Sequence, residues 1–385
     1  MASQEAVRET LLSWLALQLV PGLGPRNAIR LVKIFGFPER IFHSSLSELE
    51  AALPKLRKAT AEAIHSGLTF EDAADALRKA EGLGVEIIPF QDPRYPQQLK
   101  EIFDPPLLLY ALGREELLAR PQVAMVGTRS PTPYGRAVAE KMGREIAAAG
   151  LTHVSGMARG VDACSHRGAL QKGGDTIAVL GTGVDVPYPR ENRALYEAIR
   201  EEGLVISEFP LGTSPRPENF PIRNRIISGM SLGVMVVEGA QYSGSLITAR
   251  LALDQGREVF AIPGSIVSPQ SWGPNLLIKD GAKLVQDIGD VIEELPDDVR
   301  QALARPPAAA GRDPENPNGV LLEGASGPAQ RVFRLLRVDQ ALHIDDLIRE
   351  CEEAAPAVTL AALSELELFG AVKQLPGKHF VRVWS

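Results

Sequence analysis

Between residues 84 and 295 the chain repeats one pattern, a short apolar run followed by a more polar stretch. Eight runs have strand character: VEIIPF, LLLYALG, QVAMVG, LTHVSG, TIAVLG, GLVISEF, LGVMVVEG and REVFAIPG. Between them, 136–149, 190–202 and 243–255 space their apolar residues as a helix with one buried face does. Short continuous apolar runs suit strands covered on both faces, and strands that alternate with helices pair in parallel. The pattern predicts an α/β fold: a doubly wound, mostly parallel sheet with helices on both sides.

Such a Rossmann-like plan directs attention to the loops after the strands, because ligands bind at the carboxyl edge of open α/β sheets. Five loops stand out: GTRSPTPYG (127–135), SGMARGVDACSH (155–166), GTGVDVPYPREN (181–192), PLGTSPRPENFPIRNR (210–225) and GAQYSGSLITA (239–249). Each supplies Gly, Ser or Thr, and several supply Arg. Glycine permits close backbone approach, hydroxyls donate to phosphate, and Arg brings charge in a fork. In FPIRNRIISG, Arg223 and Arg225 flank Asn224 just ahead of an apolar helical stretch. A cationic turn that opens a helix is an anion site. The competing reading is a helix start whose arginines pair with acids of the fold. Phe220 adds an aromatic face, so the expected ligand is a polyanion with π-faces. No loop has the G-x-x-x-x-G-K-[ST] or G-x-G-x-x-G form, and GTRSPTPYG lacks the lysine that ATP hydrolysis would call for.

Other groups favour structural roles. Asp162 and His166 fall four apart on one helical face, but no third metal ligand follows, so His166 is expected to hydrogen-bond within the fold. Cys164 between them is expected to face the core. Glu238 ends a strand and could serve as an acid; an acceptor that holds one of the arginines is the favoured role.

Net charge is −7, so nucleic-acid binding needs a focused groove. Residues 1–80 hold 10 Lys+Arg against 9 Asp+Glu, and 327–385 hold 7 against 8. The middle carries the deficit, 24 against 31. Two distant cysteines, no apolar run of membrane length and no secretory leader suit a cytoplasmic protein without a Cys-based metal cluster. Residues 1–80 read as short helices around PGLGP and resemble a SAM-like or helix-hairpin-helix module, with Arg26, Arg30 and Lys33 on one face. Residues 296–326, rich in Pro, Ala, Gly and acids, read as a linker. Residues 327–385 give three amphipathic helices and a hairpin at Pro376-Gly377, a winged helix. Its second helix-turn-helix element, 356–369, has no Lys or Arg and holds Glu365 and Glu367, which favours protein contact over groove insertion. Lys373, Lys378 and Arg382 leave a contact through the wing open.

The ordered series VAMVGTRSPTPYG, SGMARGVDACSH, TIAVLGTGVDVPYPREN, SEFPLGTSPRPENFPIRNRIISG, VVEGAQYSGSLITA and VFAIPGSIVSPQSWGPNLLIKDGAKLV closely resembles the DNA-processing protein A (DprA/Smf) family over about 85–290. The resemblance implies a non-enzymatic, dimeric single-stranded DNA binder of natural transformation, without cofactor or metal. Such proteins protect incoming strands, displace or coexist with single-strand-binding protein and load the RecA recombinase. Carried over by motif, the DNA contacts would be Gly127, Thr128, Arg129, Gly156, Arg190, Phe220, Arg223, Asn224, Arg225, Ser243, Gly244 and Ser245. Ile278 and Leu284 would lie in the dimer surface, or in ordinary core. The segment SPRPEN departs from the family, with Arg216 its only cation and Glu218 added. Two alternatives remain: a phosphoribohydrolase-like enzyme, whose PGGxGTxxE loop is here EGAQYSGSLITA without the second acid, and a nucleotide sensor.

Overall fold

The structure, a computed structural model, describes residues 2–171, 173–303, 326–337, 341–351 and 356–383. Six helices come first: α1 (Ala2–Leu19), α2 (Gly24–Phe35), α3 (Pro38–Phe42), α4 (Leu46–Ala52), α5 (Lys58–His65) and α6 (Phe70–Leu83). They do not form a detached unit. Trp14, Leu15, Leu31 and Ile64 are buried in the same cluster as Ile87, Leu108 and Tyr110 of the first two strands. The Tyr110 hydroxyl donates to Gln18 Oε1 at 2.8 Å, which satisfies a polar tip that burial would otherwise penalise.

The sheet has nine strands: β1 (Glu86–Pro89), β2 (Leu108–Gly113), β3 (Gln122–Val126), β4 (Thr152–Ser155), β5 (Thr176–Val179), β6 (Leu204–Ser207), β7 (Gly233–Val236), β8 (Glu258–Ala261) and β9 (Lys283–Leu284). Their spatial order is β1-β2-β6-β5-β4-β3-β7-β8-β9. The seven from β3 onward pair in parallel, and every residue of β3 to β7 is buried, as continuous apolar runs require. The strands β1 and β2 depart from this pattern. They pair antiparallel with each other, and β2 pairs antiparallel with β6. The connection between them, 90–107, carries one short helix, α7 (Gln97–Glu101).

Covering helices are α8 (Pro133–Ala148), α9 (Val161–Leu170), α10 (Arg193–Glu202), α11 (Asn219–Gly229), α12 (Gly244–Asp254), α13 (Trp272–Lys279) and α14 (Ile288–Glu293). From β3 the chain steps outward through β4, β5 and β6, then returns to place β7 on the other side of β3. That reversal opens a crevice between the carboxyl ends of β3 and β7.

The expected linker begins with a helix, α15 (Asp297–Leu303), whose Val299 and Leu303 pack on the β3–β7–β8 core. The rest of it, 304–325, lies outside the described residues. Beyond it, helices Gly327–Leu335, Ile344–Glu350 and Pro356–Leu368 surround Val332, Phe333, Leu363 and Phe380. A three-stranded sheet of Leu342–His343, Val372–Leu375 and His379–Arg382 completes a winged helix. Its acids are engaged internally: Glu365 accepts from Ser326 and Glu367 from the Gln374 amide. Arg382 stacks on Phe333, 3.9 Å from the ring centroid.

Candidate functional site

Four of the strand-to-helix loops converge on the crevice and enclose a cavity of about 310 Å³. Its walls include Gly127 and Arg129 after β3, Phe220, Arg223 and Asn224 of α11, and the start of α12. A second chamber of about 100 Å³ adjoins it, bounded by Gly156, Arg159, Tyr188 and Pro189, and shares Arg129, Phe220 and Arg223. The Arg129 guanidinium lies 5.9 Å from the Phe220 ring centroid, and the Tyr188 ring is 5.5 Å from that of Phe220 at an angle of 32°. Arg129 is exposed, so it can swing toward a ligand.

Local chemistry fixes each wall. Thr132 caps α8 by accepting from the Gly135 amide at 3.1 Å. Glu238, 2% exposed, accepts from the Thr132 amide at 2.9 Å and its hydroxyl at 2.6 Å. The Thr128 amide donates to the Glu238 carbonyl at 2.7 Å. Glu238 therefore holds the 127–132 loop. Its partner is Thr132, where the sequence had suggested an arginine. Ser243 caps α12, with its hydroxyl 3.3 Å from the Ser245 amide and 2.8 Å from the Ser245 hydroxyl. The dipole of this eleven-residue helix puts positive potential at the cavity wall.

Arg223 is buried, and its Nη1 donates to the carbonyls of Gly156, at 2.7 Å, and Val179. Burial pulls it down to about 10, while nearby Asp162 works in the opposite direction, so it stays charged at neutral pH. Asp162 is buried too; desolvation raises its carboxyl, against the pull of Arg223 and of the Ala158 and Gly156 amides. A Cβ on Gly156 would sit 2.6 Å from the Arg223 guanidinium, so any larger residue there displaces that buried group. Gly160 has φ +77°, and a Cβ would fall 2.4 Å from the Thr128 carbonyl oxygen.

Arg225 faces elsewhere. It forks onto Glu208 with two bonds of 2.7 Å and reaches Asp104 at 3.0 Å, all but out of solvent. It lines neither chamber. Asn219–Gly229 is continuous helix, so FPIRNR is not a turn ahead of one, and residues two apart face opposite sides. Arg223 points to the crevice and Arg225 to the acids, so the two readings of the motif are each right for one arginine. Arg190 is exposed at the start of a 3₁₀ turn and lines neither chamber, as Thr128 does not.

His166 and His153 stack edge to face in the core, centroids 4.9 Å apart, with both Nδ1 atoms within 2.8 Å of Thr176 Oγ1. His166 thus hydrogen-bonds within the fold. Among the described residues no cluster of three His, Cys, Asp or Glu could hold a metal, and Cys164 is buried.

The comparisons with known proteins agree with this geometry. A family model for DNA recombination-mediator protein A matches residues 86–296, and one for the DprA winged helix domain matches 304–378. Protein Smf of Synechocystis sp. is 33% identical over 394 residues, which span 96% of this chain and 98% of that protein. The chain belongs to the DprA/Smf family. DNA processing protein DprA of Bacillus subtilis is 46% identical over 215 residues, 56% of this chain and 72% of its own length. The X-ray structure of DNA processing protein A from Streptococcus pneumoniae superposes with a TM-score of 0.65 at 37% identity, covering 73% of this chain and 96% of that one.

For this DprA/Smf protein, sequence reasoning missed Tyr188 and Arg159 as wall residues. Tyr188 lies in the same YPREN stretch that suggested Arg190. The Tyr188-Pro189 bond is cis, and the Tyr188 ring lies against Phe220. Arg159, in the wall of the smaller chamber, ion-pairs with Glu191. Ile278 is half-buried against the core, and Leu284 on the edge strand β9 is 39% exposed. A larger cavity, about 480 Å³, lies beside them along β8 and β9 among Arg250, Leu253, Leu277 and Lys283.

Proposed function

We propose that this chain binds single-stranded DNA in the crevice between β3 and β7 and passes it to a RecA-type recombinase during natural transformation. The carrying observation is the pairing of cation and ring: Arg129 beside Phe220 and Tyr188, with buried Arg223 and the α12 N-terminus behind them. A cationic groove with an aromatic platform takes single strands without strict sequence choice, because every base has a π-face. Gly127, Gly156, Asn224, Ser243, Gly244 and Ser245 shape the path. Arg190 acts from the rim, and Arg225 holds α11 in place. The curated names of the relatives, DNA processing protein DprA, support a role in handling DNA.

Binding without catalysis fits best. Glu238, the acid a phosphoribohydrolase would need, is committed to Thr132, and EGAQYSGSLITA supplies no second acid. The edge at β9, with Leu284, suits a second copy of the chain, which would make the protein a homodimer. We assign the helical region 1–80 together with the sheet region 84–295 it packs on, and the winged helix 327–385, as the functional parts, with single-strand-binding protein as a further partner.

Fluorescence anisotropy of a labelled oligothymidine over a salt series tests the site. Arg129→Ala should weaken binding and reduce the salt slope by roughly 0.7, the share of one single-strand phosphate. Unchanged affinity and slope would remove Arg129, and with it the crevice, from the interface.

A further inference from the structure

Three of the four most exposed large apolar side chains among the described residues stand in two adjacent loops: Tyr242 at 91%, Ile266 at 94% and Val267 at 87%. Tyr242 immediately precedes Ser243, the cap of α12 that borders the cavity. Ile266 and Val267 are on the loop after β8. The two loops are tied together through Gly239, whose amide donates to the Gln270 carbonyl at 2.7 Å and whose carbonyl accepts from the Gly273 amide at 2.8 Å.

The charge around these tips is as telling as their exposure. Residues 239–253 contain no acid, and neither do residues 259–279. This absence falls in the part of the chain that holds the whole acidic excess, 31 Asp+Glu against 24 Lys+Arg. A polyanion crossing these loops meets no carboxylate from either run. It also stays continuous with the positive end of α12 and with Arg129. Isolated exposed apolar residues need no explanation, but a grouped set beside a binding cavity marks an interaction surface.

We infer that Tyr242, with Ile266 and Val267 on the adjoining loop, is a second base-stacking platform, on which a strand leaving the Phe220–Tyr188 chamber lays its next bases. The inference rests on the single-strand reading of the crevice and extends it: the bound strand would run from Phe220 and Tyr188, past Arg129 and Ser243, to Tyr242. Stacking is carried by the ring, so the phenol oxygen is not needed and no charge is involved.

The test uses the full chain and labelled oligothymidine over a salt series, with Tyr242→Ala, Tyr242→Phe and Arg129→Ala side by side. Tyr242→Ala should lower affinity at least fivefold with the salt slope unchanged, the span of one base–aromatic stack. Tyr242→Phe should restore the affinity. A drop for Arg129→Ala with none for Tyr242→Ala would overturn the second platform and leave the crevice reading standing. No drop in either variant would overturn both. A change in oligomeric state for Tyr242→Ala, with DNA affinity intact, would make this face a contact between copies of the chain and also overturn the inference.

Discussion

Arg223 and Arg225 are two residues apart and do different work, because a helix turns about 200° over that interval. Arg225 neutralises Glu208, which is itself nearly out of solvent. Removing one partner of a buried pair leaves the other charge uncompensated, so Arg225→Ala should cost about 3–5 kcal/mol of stability. Urea denaturation reads this directly. Arg225→Lys, if folded, should keep the salt slope of DNA binding, since Arg225 meets no phosphate. Gly156→Ala pushes a methyl into the Arg223 guanidinium and should cost about 1–3 kcal/mol as well as DNA affinity. Equal affinity and midpoint for this variant would contradict the packing. Burial holds His153 down to about 3 and His166 well below its usual range. In the unfolded chain both take up protons below about 6.5, so the unfolded state binds more protons as pH falls. Stability is therefore full above that pH and declines below it, by up to about 1.4 kcal/mol per pH unit for each histidine. Urea midpoints that stay level from pH 7.5 to 5 would contradict two buried neutral imidazoles.

At the scale of elements, the eight predicted strands are β1 to β8, and their positions were legible because a strand covered on both faces has to be apolar throughout. The antiparallel β1–β2 edge was not legible, since apolar runs carry no direction and the connection of residues 90–107 is long enough for either pairing. β9 is two residues long, below any periodicity, and its KL sat inside a stretch read as a dimer edge. α11 was placed too late because Pro221 and the paired arginines mask its first turn; Pro is tolerated there, where its missing N–H leaves no bond unmade. Of the site, the motif residues in the loops were readable from composition. Tyr188 was not, because its ring reaches Phe220 across 32 residues of sequence. Ser243→Ala should loosen the start of α12 and cost about 1 kcal/mol, with a thermal melt as the readout.

For the whole molecule, the proposed function asks an acidic protein to hold an acidic polymer. Net charge is −7, yet the chain reversal at β3 and β7 collects Arg129, Arg223 and a helix N-terminus at one edge. The acids near them are spent: Asp162, in the cavity wall, on Arg223 and the Ala158 amide, Glu238 on Thr132, Glu191 on Arg159, Glu208 on Arg225. What faces the crevice is therefore more positive than the sum of the chain, and long-range repulsion is screened within about 10 Å at ordinary salt. Duplex DNA offers no free base face to Phe220 and Tyr188, so the proposed site predicts discrimination between one strand and two. The decisive measurement is fluorescence anisotropy of a labelled oligothymidine against a duplex of equal length, each over a salt series. The crevice predicts strong preference for the single strand and a steep negative salt slope. Equal affinity for duplex, or none for either, would contradict it.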